Sequence, residues 1–272
     1  MTLQRLDACF TQAAAENRAV FVGYVMAGDP DLETTFEILK DVPAGSIIEL
    51  GLPFSDPMAE GPSIQKAAQR ALAAGTRTRD VLELVRRLRA IDQTTPVVLM
   101  GYLNPIESYG YAAFAADAAE AGVDGLIVVD CPPEEAGPLL DALEPRGVAL
   151  IRLATPTSDD ARLKVIAERT SGFVYYVSVA GVTGVKAADA GTVAPAVARV
   201  RAATGLPVAV GFGIRSPESA AGIARVADAV VVGSALVDEG AAAIEAGEPA
   251  APRVLARMQA LAEAVAAARR GT

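Results

Sequence analysis

The sequence predicts an α/β fold: a (β/α)8 TIM barrel, with an extra N-terminal helix, in a single domain covering residues 1–272. Three observations support this. The chain has 272 residues, a length at which such barrels commonly form one domain. Short β-rich runs alternate with helical patterns almost to the C-terminus. The runs are nearly continuously apolar rather than alternating, as expected for parallel strands covered by helices on their outer side.

The elements follow in order. MTLQRLDACFTQAAAEN at the N-terminus reads as an amphipathic helix, without the long apolar run of a signal peptide. Strands are expected at AVFVGYVMA (19–27), SIIELGL (46–52), PVVLMGYL (96–103) and GLIVVD (125–130). They continue at VALIRLA (148–154), FVYYVSV (173–179), LPVAVGFG (206–213) and AVVVGSALV (229–237). Asp29-Pro30 precedes the helical DLETTFEILKDV, and Ser158-Asp159-Asp160 opens DDARLKVIAERTSG, which closes on Gly172. Ser216-Pro217 places an N-cap before a proline at the first helical position. The last helix is APRVLARMQALAEAVAAARR, after an Ala-rich connector that reads as a loop or a helical extension. Eight evenly spaced strands fit closure into a barrel better than the rival doubly wound open sheet.

Composition narrows the function. The hydrophobic fraction of 52% supplies a sizeable core, and the formal net charge of −9 argues against nucleic acid, whose phosphates need clustered Lys and Arg. One phosphorylated small molecule remains possible, because backbone amides can bind a phosphate without a basic patch. No stretch is apolar for long enough to span a bilayer. Cys9 and Cys131 make neither a disulfide framework nor a metal cluster and read as reduced thiols of a cytoplasmic protein. There is no histidine, which excludes Ser-His-Asp and Cys-His catalysis and His-ligated zinc. Acid–base work then falls to carboxylates, Tyr or Lys.

Active sites of such barrels lie at the C-terminal ends of the strands. Three late segments there are glycine-rich: AGVTG (180–184), GFGIRSPES (211–219), and VGSAL (232–236) within strand eight. Glycine lets the backbone turn close to a ligand, so that several N–H groups can face one anion. SPES also opens a helix, whose dipole favours negative charge. The expected phosphate donors are the amides of Gly184, Gly213, Gly233 and Ser234, with the Ser234 hydroxyl in support. Taken singly, each glycine could simply make a tight turn.

The acids of ELGLPFSDPMAEGP (49–62) have no Lys or Arg beside them. Alternation puts Ile47 and Glu49 on one face of the second strand and Ile48 and Leu50 on the other. If the first face points into the barrel, burial raises the pKa of Glu49 above the ordinary ~4.3 and makes it a proton donor and acceptor near neutrality. The alternative is a structural carboxylate held by a loop amide. Asp56, between Ser55 and Pro57, reads as a turn-capping side chain. Glu60 lies on a loop long enough to fold over the mouth, and by itself reads as a solvated acid.

Over nearly its whole length the chain resembles the tryptophan synthase α subunit family. The resemblance rests on VMAGDP (25–30), ELGLPFSDPMAEGPSIQ (49–65), MGYLNPI (100–106), VVDCPPEE (128–135), SVAGVTG (178–184), GFGIRSPE (211–218) and GSALV (233–237). It implies retro-aldol cleavage of indole-3-glycerol phosphate to indole and glyceraldehyde 3-phosphate, with no metal or organic cofactor. By the resemblance, Glu49 protonates indole C3 and assists proton removal from the glycerol hydroxyl. Glu60 falls where the family has an Asp facing the indole N–H. Tyr175 and Thr183 match positions beside the glycerol phosphate and on a closing loop. Leu99 or Met100, Tyr102, Val129, Leu153 and Phe212 fall on the apolar walls around the indole. The implied partner is a pyridoxal-phosphate β subunit in an α2β2 assembly, facing Pro53, Asp56, Asn104 and Pro132. Two residues depart from the family pattern: Glu60 adds a methylene to the expected Asp, and Cys131 replaces a leucine-like residue. The longer acid keeps open a second reading, a weakly catalytic or non-catalytic phosphate-binding subunit that activates its partner.

Overall fold

In a computed structural model of the protein, residues 3–178, 190–211 and 213–270 are described. The apolar runs form eight strands: β1 (Val20–Met26), β2 (Ile47–Gly51), β3 (Val97–Gly101), β4 (Gly125–Val128), β5 (Ala149–Ala154), β6 (Val174–Val177), β7 (Val208–Gly211) and β8 (Ala229–Val232). Each pairs in parallel with its neighbours in sequence, and β1 pairs with β8, closing the barrel.

Helices surround the barrel: most cover its outside, while the first packs Leu6, Cys9 and Ala13 with residues that fill the lumen. They are α1 (Leu3–Ala15), α2 (Leu32–Lys40), α3 (Pro62–Ala73), α4 (Thr78–Arg89), α5 (Leu103–Tyr109) and α6 (Tyr111–Ala121). The second half supplies α7 (Gly137–Leu143), α8 (Asp160–Ala167), α9 (Ala190–Thr204), α10 (Pro217–Ala224), α11 (Ser234–Glu245) and α12 (Ala250–Ala267). Strand alternation divides the core into two parts. Residues such as Ile48, Leu50, Leu99, Leu126 and Val210 pack against helices, whereas Val22, Ile47, Val98, Ile127, Ile151 and Ala209 fill the lumen.

Several predicted boundaries move. The expected strand eight ends at Val232, and Ser234 instead opens α11, so the Ala-rich connector is a helix of its own. The apolar Ala235-Leu236-Val237 that extended the strand pattern is buried as the first turn of that helix. The helix opened by Asp159, whose carboxylate accepts from the Arg162 amide at 2.8 Å, stops at Ala167 rather than reaching Gly172. It stops because Glu168 is extended and Arg169 takes a left-handed φ of 56°.

Candidate active site

Tyr24, Glu49 and Val98 are in register across β1, β2 and β3. Glu49 is therefore in the lumen, on the face it shares with Ile47, and only 1% exposed. Its Oε2 has no hydrogen-bond partner among the described residues. Burial, and after it the nearby charge of Glu60, pushes its carboxyl up to about 8.

Glu60 reaches the same mouth from the loop between β2 and α3, and is partly buried rather than solvated. Burial pushes its carboxyl up to about 7. The loop is tied down at three points. The Ala59 amide donates to Tyr102 Oη at 2.9 Å, the Glu60 amide to the Pro57 carbonyl at 3.0 Å, and Gln65 Nε2 to the Glu60 carbonyl at 2.9 Å. Phe54 packs on Tyr102 with ring centroids 5.4 Å apart. Asp56, by contrast, is exposed and accepts from the neighbouring Ser55 hydroxyl at 2.5 Å, as a turn residue does.

Two tyrosines line the carboxylates. Tyr24 and Tyr175 are buried, and burial, with Glu49 and Glu60 adding to it, raises both phenols well above their ordinary range. They remain neutral donors at physiological pH. Glycines admit them: a methyl group at position 51 would lie 2.3 Å from Tyr24 Oη, and one at 211 would lie 2.1 Å from Tyr175 Oη. So Gly51 and Gly211 leave space for phenols, a role sequence reasoning did not give them. It also missed Tyr24, which sits inside an apolar run and reads as core; its inward position in the alternation was the available signal.

The remaining predicted residues divide by location. Of the pair Leu99 and Met100, Met100 is in the lumen and Leu99 in the outer layer. Tyr102 is buried, and Val129 and Leu153 are partly buried at the mouth. Gly213 has a left-handed φ of 75°. The hydroxyl of Ser216 accepts from the Ser219 amide, so α10 caps itself. α11, which begins after Gly233, has no side-chain cap. Thr183, Gly184 and Phe212 lie outside the described residues. Among the described residues no group of three His, Cys, Asp or Glu side chains could hold a metal, and no helix is long and apolar enough to cross a membrane.

The arrangement can donate a proton from one sheltered carboxyl, hold negative charge on a second, and offer amides to an anion across the mouth. Comparison with known proteins agrees with that chemistry. The family model described as tryptophan synthase alpha chain matches residues 10–266. A tryptophan synthase alpha chain of Phenylobacterium zucineum (strain HLK1) is 66% identical, covering 99% of this chain and 98% of its own. That of Caulobacter vibrioides (strain NA1000 / CB15N) is 63% identical over 100% of both chains. A crystal structure of the tryptophan synthase alpha chain from Legionella pneumophila subsp. pneumophila superposes with a TM-score of 0.87 at 39% identity, covering 98% of each chain. A Mycobacterium tuberculosis tryptophan synthase structure gives 0.86 at 39% identity, covering 98% of this chain and 99% of that one.

Proposed function

The chain belongs to the tryptophan synthase alpha chain family, and from that premise we propose how its own residues carry out the family's reaction. It is the lyase that cleaves indole-3-glycerol phosphate in tryptophan biosynthesis. The carboxyl of Glu49 protonates indole C3, and the resulting carboxylate takes the proton of the glycerol hydroxyl next to the bond that breaks. The bonding pair returns to the ring, releasing indole and leaving the aldehyde of glyceraldehyde 3-phosphate. Glu60, ionised, faces the indole N–H and stabilises the positive charge that develops on the ring; exclusion of water strengthens that interaction.

Gly213, Gly233 and Ser234 hold the phosphate, joined by Gly184, and Thr183 contributes to substrate binding from the same segment, outside the described residues. Tyr175 stands beside the glycerol. Met100, Tyr102 and Leu153 wall the indole together with Phe212. Phosphate binding away from the reacting bond supplies energy for positioning. The single observation behind this assignment is the isolation of Glu49: 1% exposed, with Oε2 unpartnered among the described residues and the carboxyl pushed up to about 8.

The scheme needs no metal or organic cofactor. We place the protein in the cytoplasm, as one domain, docked on a β subunit in an α2β2 assembly. The decisive experiment measures indole release from indole-3-glycerol phosphate with and without β subunit; no release in either condition overturns the reading. Glu60→Asp should preserve or raise the rate. A steep fall would show that the loop is fitted to the longer acid, since about an ångström of misplacement can cost about 10²-fold.

A further inference from the structure

The run VALIRLA carries a charge that the catalytic scheme does not use. Arg152 sits between Leu150 and Ala154 on the outer face of β5, so it belongs to the apolar layer beneath the helices and not to the lumen that holds Glu49. It is 6% exposed, and neither Nε nor Nη1 has a hydrogen-bond partner among the described residues. A guanidinium stays charged at any physiological pH, and burying one without acceptors is costly. Burial accordingly lowers its pKa.

The side chain lines a cavity of about 520 Å³ between the segments that follow β4 and β5, with Ile166 of α8 on the far side. The acids nearby are committed elsewhere: Glu134 pairs with Arg162, and Asp130 Oδ1 accepts from the Leu103 amide at 2.7 Å. The rest of the polar lining is the Arg162 guanidinium, already paired, the Cys131 thiol, and hydroxyls. Thr155 Oγ1 and Thr157 Oγ1 are 2.8 Å apart, and Ser158 Oγ accepts from the Thr155 amide at 3.1 Å. The cavity thus combines one unanswered cation with adjustable hydroxyls, at a volume that suits a small molecule.

We propose that this cavity is a binding site for a small carboxylate- or phosphate-bearing anion, held by Arg152 and the hydroxyls of Thr155, Thr157 and Ser158. An oxyanion gives the buried guanidinium the charge-assisted acceptors it lacks. The site is separate from the catalytic phosphate cup, which lies across the barrel at β7 and β8.

Cys131 lines the same cavity and is partly exposed, whereas Cys9 is buried, so Cys131 reports on occupancy. The test follows carbamidomethylation of Cys131 by neutral iodoacetamide in malonate, in inorganic phosphate, and in chloride of matched ionic strength. Malonate or phosphate should slow the reaction severalfold and saturably in the natural chain. In Arg152→Met the ratio of rates with and without anion should fall to that in chloride; the ratio cancels any change in the thiol's own reactivity. Protection that is no greater than chloride gives, or equal in the variant, overturns the proposal. A crystal of the unaltered chain soaked in selenate keeps the test independent of whether the variant folds. An anomalous peak within hydrogen-bond reach of Arg152 supports the site, and a peak confined to the Gly233–Ser234 cup overturns it.

Discussion

Asp124 and Glu49 are both buried carboxylates of the same barrel. At the N-terminal end of β4, Asp124 accepts from Arg5 Nε, Arg89 Nη2 and the Val97 amide, each at 2.8 Å, and has no exposed side-chain surface. Glu49, midway along β2 on the lumen face, keeps one oxygen without any donor among the described residues and faces a second acid. Burial pushes both carboxyls up; at Asp124 the amide and the two guanidiniums pull back, while at Glu49 the neighbouring charge pushes the same way. The difference separates two jobs. The closed end locks the fold by satisfying its charge, and the open end leaves a carboxyl uncompensated so that it can hold and give up a proton. That is the division expected between the two faces of such a barrel.

Removing each acid should break different things. Glu49→Gln should lower indole release by about 10²–10⁴-fold, the range for a lost general acid–base group, with substrate binding still measurable. It should also stabilise the fold above neutrality. The native carboxyl near 8 lies above its unfolded value of 4.5, so the natural chain loses stability as pH rises from about 4.5 through about 8. Gln titrates nowhere in that range. The gap in melting temperature between the two chains should therefore widen with pH, and a gap independent of pH would contradict the buried-acid assignment.

Asp124→Ala should do the reverse. Arg5 and Arg89 are left without their shared acceptor, and removing one partner of a buried pair costs about 3–5 kcal/mol. Urea denaturation measures this. Indole release per folded molecule should stay near the natural value, and a loss rivalling Glu49→Gln would erase the distinction between the two ends.

The two regions were unequally legible in the sequence. All eight strands showed as apolar runs, and a period of two put Ile47 and Glu49 on one face, although which face looks inward came only with the closed barrel. Strand ends overran because a few apolar residues such as Ala235, Leu236 and Val237 do not distinguish a strand from a first helical turn. Asp124 could not be found, since Arg5 and Arg89 lie 119 and 35 residues away and carry no local pattern. Glu60 was legible through family resemblance alone; its loop is drawn inward by Tyr102, 43 positions from Ala59. Arg152 was visible as a charge in an apolar run, but its missing partners are a matter of packing.

The two mouth acids also set a pH window. Glu60 must be ionised and Glu49 protonated, and their carboxyls near 7 and near 8 place the optimum between those values. As pH climbs through about 7 the rate should rise, and above about 8 it should fall, each limb approaching about tenfold per pH unit. The limbs belong to the interacting pair rather than to either residue alone. Glu60→Gln should remove the acid limb and keep the alkaline one; survival of both would mean that other groups set the profile.

The smallest effect should come from the tether that holds the Glu60 loop to Tyr102. Tyr102→Phe deletes the acceptor of the Ala59 amide but keeps the ring that packs on Phe54. One such hydrogen bond contributes about 1 kcal/mol, which corresponds to a loss of roughly fivefold in kcat/KM. The Glu60 loop would still be held through Pro57 and Gln65, so the loss should appear mainly in KM, with the melting temperature scarcely moved and both pH limbs in place. A fall as deep as that of Glu49→Gln would instead make Tyr102 a group acting on the substrate itself, and the mouth would then hold a third participant beside its two acids.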